Sequence, residues 1–391
     1  MEMASETRMA ARIVICRSNP VAPDPRVAKT ARTLAGQGYS VQIVCWDRMG
    51  MLTEQDKLAG SDEDILIHRL RILGEFGHGL GNLPGLLRWQ WGLLHWLATH
   101  RHEYDLIHAC DFDTVLPAWV CKLLWKKGLV YDIFDFYADH LRATPEVLKK
   151  MIRWIDLWMI GKADAVILAD DSRREQIASA RPKRLEIIYN SPESVASIAV
   201  EQKATDSSGL RLAYVGLLQE ERGLFEILAV LEMHPAWELD LAGFGGDEAK
   251  ILAKANQMNN VHWHGRVAYE EALRLSQAAD ILFATYDPAI PNHRYSSPNK
   301  LFEAMLLSKP IIVSRDTNMD RIVERLDCGV VVEYGDVTQL DVALTRLYLD
   351  KGYRTRLGEN GQRAYEAEFS WAIMQSRLAQ LYSEVAGPLA P

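Results

Sequence analysis

The sequence has no long hydrophobic run. No stretch approaches the roughly 18 consecutive apolar residues of a membrane-spanning helix. It is poor in cysteine, and its five, Cys16, Cys45, Cys110, Cys121 and Cys328, stand without CxxC spacing. They read as buried thiols, which excludes a disulfide framework and a cysteine zinc site. The eleven histidines include no HExxH, and His262 and His264 flank Trp263 in what reads as a short strand, so no protein-held metal is expected. A surplus of positive charge is missing too: the net charge of -8 is unlike a nucleic-acid footprint. There is no GxGxxG, which argues against an ordinary dinucleotide site. Residues 1–10 are polar, without the apolar centre of a secretion signal, so the expected location is the cytoplasm.

What is present is enough for two cores. A chain of 391 residues, 48% hydrophobic and 25% charged, is too long for one compact domain and well able to bury two. Short apolar runs alternate with amphipathic helical stretches from residue 11 almost to the end, the pattern of a doubly wound α/β protein. A polar stretch from Asn190 to Gly209 marks the boundary between a first domain, residues 1–195, and a second, residues 205–369.

Residues 295–310, YSSPNKLFEAMLLSKP, organise the functional reading. Pro298 favours an extended Ser297, Asn299 is a good N-cap, and Leu301, Phe302, Met305 and Leu306 recur at helical spacing. A loop therefore runs straight into a helix N-terminus, whose open N–H groups and partial positive charge suit a diphosphate, and Lys300 adds a full charge. Glu303, on the first turn, is better placed to accept hydrogen bonds from a ligand's hydroxyls than to touch phosphates. The alternative is a buried amphipathic helix whose Glu and Lys merely complement its dipole. Residues 216–223, GLLQEERG, make a second strand-to-helix glycine turn with one basic residue, Arg222, again friendly to phosphate. Gly243 and Gly265-Arg266-Val267 follow two further strands as turns.

In the first half, the first strand leads into a loop with three prolines, and Asp24 and Arg26 lie in it. Arg26 either faces the ligand cleft or pairs with Asp24 or Asp47 to stiffen the loop. Two neighbouring strands end in acidic groups, the first at His108-Ala-Cys-Asp111-Phe-Asp113 and the second at Asp135. Such carboxylates can orient or deprotonate an acceptor hydroxyl, while Asp111 or Asp113 is also a natural cap for the helix that follows. Residues 83–98 form a tryptophan-rich helix, and Trp154 and Trp158 recur in a second. Packing on the sheet is one role for them; a seat on a membrane surface, beside Arg88 and Arg153, is the other.

Asp24-Pro-Arg-Val-Ala-Lys29, Trp46-Asp47-Arg48 and residues 297–305 together resemble the retaining, nucleotide-sugar-dependent glycosyltransferases with two Rossmann-like domains, the GT-B fold of the group 1 or RfaG-like family. The resemblance spans residues 12 to about 382. It implies a donor site on the second domain, with Glu303 on the ribose hydroxyls, Gly216, Arg222, Lys300 and the loop from Tyr295 through Ser297 and Asn299 to Leu301 around the diphosphate, Gly243 close to it, and Arg266 and Val267 bordering the base. It makes His108 and Asp111 the catalytic candidates and places Asp24, Arg26 and Asp135 on the acceptor side. The last helix, residues 370–391, is then expected to cross back onto the first domain. Two positions depart from the family's pattern: Tyr295 stands where a sugar-contacting glutamate is usual, and Leu217 where a basic residue is. No cofactor is implied beyond the nucleotide-sugar co-substrate. The partners expected are that donor and a saccharide or lipid-linked acceptor, with contact at the inner face of a membrane through the tryptophan helices as a further expectation. An idle nucleotide-sugar binder or regulatory partner, a nucleotide-sugar epimerase and a two-lobed solute-binding protein are the competing readings.

Overall fold

The computed structural model describes residues 11–61, 64–74, 83–141, 144–193 and 209–386. The polar leader, residues 1–10, and most of the boundary stretch, residues 194–208, lie outside the described residues. The chain divides into two compact units, Met1–Tyr189 with Met374–Pro391, and Asn190–Ile373.

The first unit is built on β1 (Arg12–Arg17), β2 (Ser40–Asp47), β3 (Gln55–Lys57), β4 (Leu66–Arg71), β5 (Leu106–Cys110), β6 (Gly128–Ile133), β7 (Ala165–Leu168) and β8 (Leu185–Ile187). Its eight strands run in the order β3-β4-β2-β1-β5-β6-β7-β8, parallel except where β3 pairs antiparallel with β4. The central strands are apolar runs because helices cover both faces; Ile13 to Cys16 are fully buried. Around the sheet lie α1 (Pro25–Gly36), α2 (Leu83–Thr99), α3 (Phe112–Trp125), α4 (Tyr137–His140), α5 (Glu146–Ile160) and α6 (Arg173–Gln176). After β7 only the short α6 forms, because Asp170 accepts hydrogen bonds from the backbone and hydroxyl of Ser172, at 2.8 and 2.7 Å, and holds a turn.

The second unit has six parallel strands, β9 (Arg211–Leu217), β10 (Glu238–Phe244), β11 (Val261–Trp263), β12 (Ile281–Ala284), β13 (Ile311–Ser314) and β14 (Gly329–Val332), in the order β11-β10-β9-β12-β13-β14. Its helices are α7 (Leu224–Met233), α8 (Glu248–Ala255), α9 (Tyr269–Ala278), α10 (Asn299–Leu306), α11 (Met319–Leu326), α12 (Val337–Leu349) and α13 (Lys351–Ala364). Both sheets are therefore doubly wound Rossmann-like folds. A last helix, α14 (Trp371–Ala386), begins in the second unit and ends in the first. There Tyr382 is fully buried, its ring 6.1 Å from that of Tyr39 and its hydroxyl 2.5 Å from His108 Nδ1.

All five cysteines are free and buried. Burial pushes the Cys45 and Cys328 thiols up to about 12, which leaves them inert at neutral pH. Among the described residues, no helix is long and apolar enough to cross a membrane.

Candidate active site

In the second unit, strand order reverses between β9 and β12, and such a switch point opens a crevice beyond the strand ends. The residues brought there come from three elements. Helix α10 starts at Asn299 with Pro298 in the capping position, so Asn299 is the first helical residue rather than the expected cap, and no side chain caps the helix. Lys300 turns back over the end of β9. Its ammonium lies 3.4 Å from the centre of the Tyr214 ring, and a Cβ on Gly216 would stand 2.9 Å from it, so only glycine leaves it that seat. Tyr214 is fixed in turn by donating its hydroxyl to Leu217 O at 2.6 Å.

Arg222 ends a single 3-10 turn, Glu220–Arg222, and its guanidinium lies 4.0 Å over the ring of Tyr286, just beyond β12. Gly223 then takes a left-handed conformation, φ 68°, against Thr285, whose hydroxyl donates to Arg222 O at 3.3 Å. Among the described residues neither Lys300 nor Arg222 makes an ion pair. Their mutual repulsion is felt: burial first, then Arg222, hold Lys300 well below the ordinary lysine range, and Glu303 offsets this only in part. Glu303, one turn along α10, receives a hydrogen bond from the Tyr269 hydroxyl; burial and that carboxylate together push the phenol far above its ordinary value. Ser297 completes the group. It is buried, its Oγ has no hydrogen-bond partner, and its carbonyl accepts from Asn190 at 3.1 Å. Two cations that make no ion pair among the described residues, an uncapped helix end and an orphan hydroxyl thus come together, an arrangement whose chemistry suits an anion.

Other residues singled out in the sequence fall around this group or away from it. Tyr295 is half-buried at the end of a 3-10 turn, Pro291–Tyr295. The Leu301 side chain is fully buried in the core. Gly243 is needed for a different reason from ligand approach: a Cβ there would sit 1.8 Å from Gly216 O, so the glycine lets β9 and β10 end side by side. Arg266 is exposed and stacks 4.4 Å over Phe244, also exposed, next to the half-buried Val267.

The first unit has its own switch point, between β1 and β5. Arg17, at the end of β1, bonds Asp24 at 2.9 Å and also Asp111. Asp111 does not cap α3. Its carboxylate accepts instead from Phe134 N at 2.8 Å, and its backbone, φ 64° and ψ 170°, lies in a region that is almost glycine's alone. Burial raises the Asp111 carboxyl to about 6, Asp113 and Asp135 adding to this and Arg17 opposing it. Asp113 is buried with Oδ1 unpartnered and its carboxylate raised by burial. Arg48 stacks 4.1 Å over Trp46 and donates to Ser18 O at 3.2 Å.

Three sequence-based assignments need correction here. His108 is a catalytic candidate only in sequence: it is buried, bonded to Tyr382 and 3.3 Å from Asp132, because it lies within β5 rather than beyond it. Arg26 is a buried structural residue. Its guanidinium is buried on Asp132, at 2.7 and 3.2 Å, and on Ile188 O at 2.6 Å. Asp24 is the N-cap of α1, accepting from Val27 N at 3.2 Å, and its other oxygen holds Arg17 and Asn19. Asp135 pairs with Arg173 at 2.7 Å and is half-exposed. Sequence reasoning missed Tyr214, Tyr269 and Tyr286, each of which seats one charged residue. Their signal was slight: Tyr214 sits inside an apolar strand, and Tyr286 two residues past another.

The family model for glycosyl transferases group 1 matches residues 198–364, and that for the glycosyl transferase 4-like domain matches residues 22–191. A D-inositol 3-phosphate glycosyltransferase from Corynebacterium efficiens is 24% identical over 75% of this chain and 74% of its own length. A GDP-mannose-dependent monoacylated alpha-(1-6)-phosphatidylinositol monomannoside mannosyltransferase from Corynebacterium glutamicum is 31% identical over 39% of this chain and 40% of that protein. Among solved structures, sucrose-phosphate synthase from Thermosynechococcus elongatus superposes with a TM-score of 0.75 at 16% identity, covering 96% of this chain and 99% of the other. Anabaena HepE, solved with UDP and glucose, gives 0.71 at 16% identity, covering 95% and 99%. With two domain models that between them take in most of its length, and with two Rossmann-like units of the GT-B kind, the chain belongs to the group 1 glycosyltransferases.

Proposed function

We propose that this glycosyltransferase takes its sugar from a nucleoside diphosphate and passes it, with retention of anomeric configuration, to a hydroxyl of a saccharide or lipid-linked glycan. One observation carries the donor reading: Lys300 and Arg222 converge beside an uncapped helix without an ion-pair partner among the described residues. A diphosphate supplies the missing negative charge, and Glu303, one turn on, meets the pentose hydroxyls. In the reaction the bond from the anomeric carbon to the diphosphate oxygen breaks as a bond to the acceptor oxygen forms, and the acceptor proton leaves with the nucleoside diphosphate. Lys300 and Arg222 stabilise the charge that grows on the departing oxygen, the task a protein-held metal would otherwise perform. The relatives support this reading: one was solved with UDP and glucose, and others are named for GDP-mannose, an inositol phosphate and a phosphatidylinositol mannoside.

The test is turnover. Purified chain incubated with labelled UDP-glucose or GDP-mannose and a polyol phosphate or glycan acceptor is expected to release nucleoside diphosphate, and the product's anomeric configuration, read by proton NMR, should match the donor's. Glu303→Ala should weaken donor binding by about 100-fold, since charge-assisted hydrogen bonds to two hydroxyls are lost. Its melting temperature should fall only modestly, as Tyr269 loses its acceptor and Lys300 the carboxylate nearest it. Binding without any release would instead favour an idle nucleotide-sugar binder, the reading that Tyr295 and the exposed Leu217 motivate.

A further inference from the structure

Helices α2, α3 and α5 lie side by side in the first unit. Trp89 and Gln90 of α2 both donate to Asp113 O of α3, at 2.9 and 2.6 Å, and Trp119 of α3 meets Trp158 of α5 edge-on with ring centres 5.0 Å apart. Each helix turns one apolar face inward: Trp89 and Leu93 of α2, Val115 and Ala118 of α3, Met159 and Ile160 of α5 are buried in the core. Of these helices, α2 and α5 carry a second apolar stripe that faces out. On α2 it is Leu83, Leu87 and Trp91, four residues apart, with Trp91 71% exposed. On α5 it is Val147, Met151, Trp154 and Trp158 at spacings of a helical turn, with Trp154 66% exposed. At the end of α3, Leu123 and Leu124 are exposed as well. A helix that packs on a sheet needs only one such face, so a stripe on two neighbouring helices, with exposed leucines on the third, is a contact surface.

Charge indicates what it contacts. The whole chain is acidic, at -8, yet this face is basic. Arg88 on α2, Lys126 after α3, and Lys150 and Arg153 on α5 rim it, with Lys162 beyond, its ammonium 5.0 Å over the Trp158 ring. Within the three helices Glu146 is the one exposed carboxylate, since Asp113 and Asp156 are buried. Tryptophan set among aliphatic side chains, with cations at the margin, matches the boundary between acyl chains and anionic headgroups. A second copy of the chain applied face to face would instead bring these cations together.

We propose that this face of the first unit docks on an anionic lipid bilayer. The inference stands apart from the donor reading, because its readout involves no nucleotide. Full-length protein is sedimented with vesicles of phosphatidylcholine plus phosphatidylglycerol and with phosphatidylcholine alone. It should partition onto the anionic vesicles, less so as salt rises, and little onto the neutral ones. Trp91→Ser with Trp154→Ser should reduce that partition by roughly 100-fold, as two buried aromatic side chains are lost. Lys150→Gln with Arg88→Gln, both exposed, should reduce it by roughly 20-fold at low salt. All four side chains point outward, so melting temperatures should hold; the salt dependence of the parent protein serves as a readout that needs no variant. Absence of partition onto anionic vesicles, partition indifferent to salt, or a dimer in sedimentation equilibrium that the tryptophan substitutions dissolve would each overturn the proposal.

Discussion

At the residue scale, the molecule holds several charged groups where water would suit them better, and each has a measurable signature. Lys300 is the sharpest. Burial and Arg222 oppose its charge in the free protein, whereas a bound diphosphate favours it, so binding must draw a proton onto the amine. Calorimetry of nucleoside diphosphate in buffers of differing ionisation enthalpy should show proton uptake, and affinity should fall as pH rises. Lys300→Met should weaken binding by about 10- to 100-fold, the worth of one charge-assisted hydrogen bond, while raising the melting temperature of the unliganded protein by removing the repulsion. A loss of stability would mean that the ammonium serves the fold. Asp156 makes the complementary case in the first unit. It is fully buried on α5, takes a hydrogen bond from Tyr131 at 2.6 Å, and burial raises it to about 7. Its folded value lies above the unfolded one, so the folded state binds more protons between about pH 4 and 7 and stability is lost as pH rises through that window, by on the order of 4 kcal/mol. Asp111, at about 6, acts in the same direction. Asp156→Asn should flatten the pH profile of urea denaturation and leave the protein firmer at pH 8; an unaltered profile would place the titration elsewhere.

At the scale of elements, the turn between β9 and α7 deserves the closest test. Gly223 is left-handed, and a Cβ there would come within 2.2 Å of Thr285 Oγ1 and 2.7 Å of Thr285 O, so the backbone of one strand end must move. Gly223→Ala should destabilise by about 2 kcal/mol or more through strain and overpacking, and should weaken nucleoside diphosphate because Arg222 moves with the turn. Gly246→Ala, where a Cβ would meet nothing within 4 Å, is the control and should stay within about 0.5 kcal/mol in urea midpoints. This turn also shows what sequence can and cannot reveal. The two glycines and the arginine were legible because a strand-turn-helix with Gly216 and Gly223 has few other uses. The aromatic seats were not, since nothing local distinguishes Tyr214 from any other residue of a buried strand. Strand β4 was not legible although Ile65, Ile67 and Arg69 alternate as a strand should; a buried arginine in an inward position, and basic residues among the apolar ones, blurred the pattern. Burial explains the corrections at His108 and Arg26. A polar side chain in an apolar strand or on a helix's inner face can be satisfied by another such side chain, and Asp132 satisfies both.

At the scale of the whole molecule, the donor reading assigns every charged donor group to the second unit. Ligand should then stabilise that unit alone by mass action, by about 2.7 kcal/mol at 100 times the dissociation constant. In differential scanning calorimetry UDP or GDP should shift the transition of Asn190–Ile373 and leave that of the first unit in place. Equal shifts of both would mean that the nucleotide is gripped from two sides. The return of α14 has a consequence for biosynthesis. Tyr382 is a wall of the first core, set against Tyr39 and His108, though more than 180 residues of the other unit are translated before it. A ribosome that has finished the first half has therefore released a fold with one side open, and only when the final helix leaves the exit tunnel can that half close.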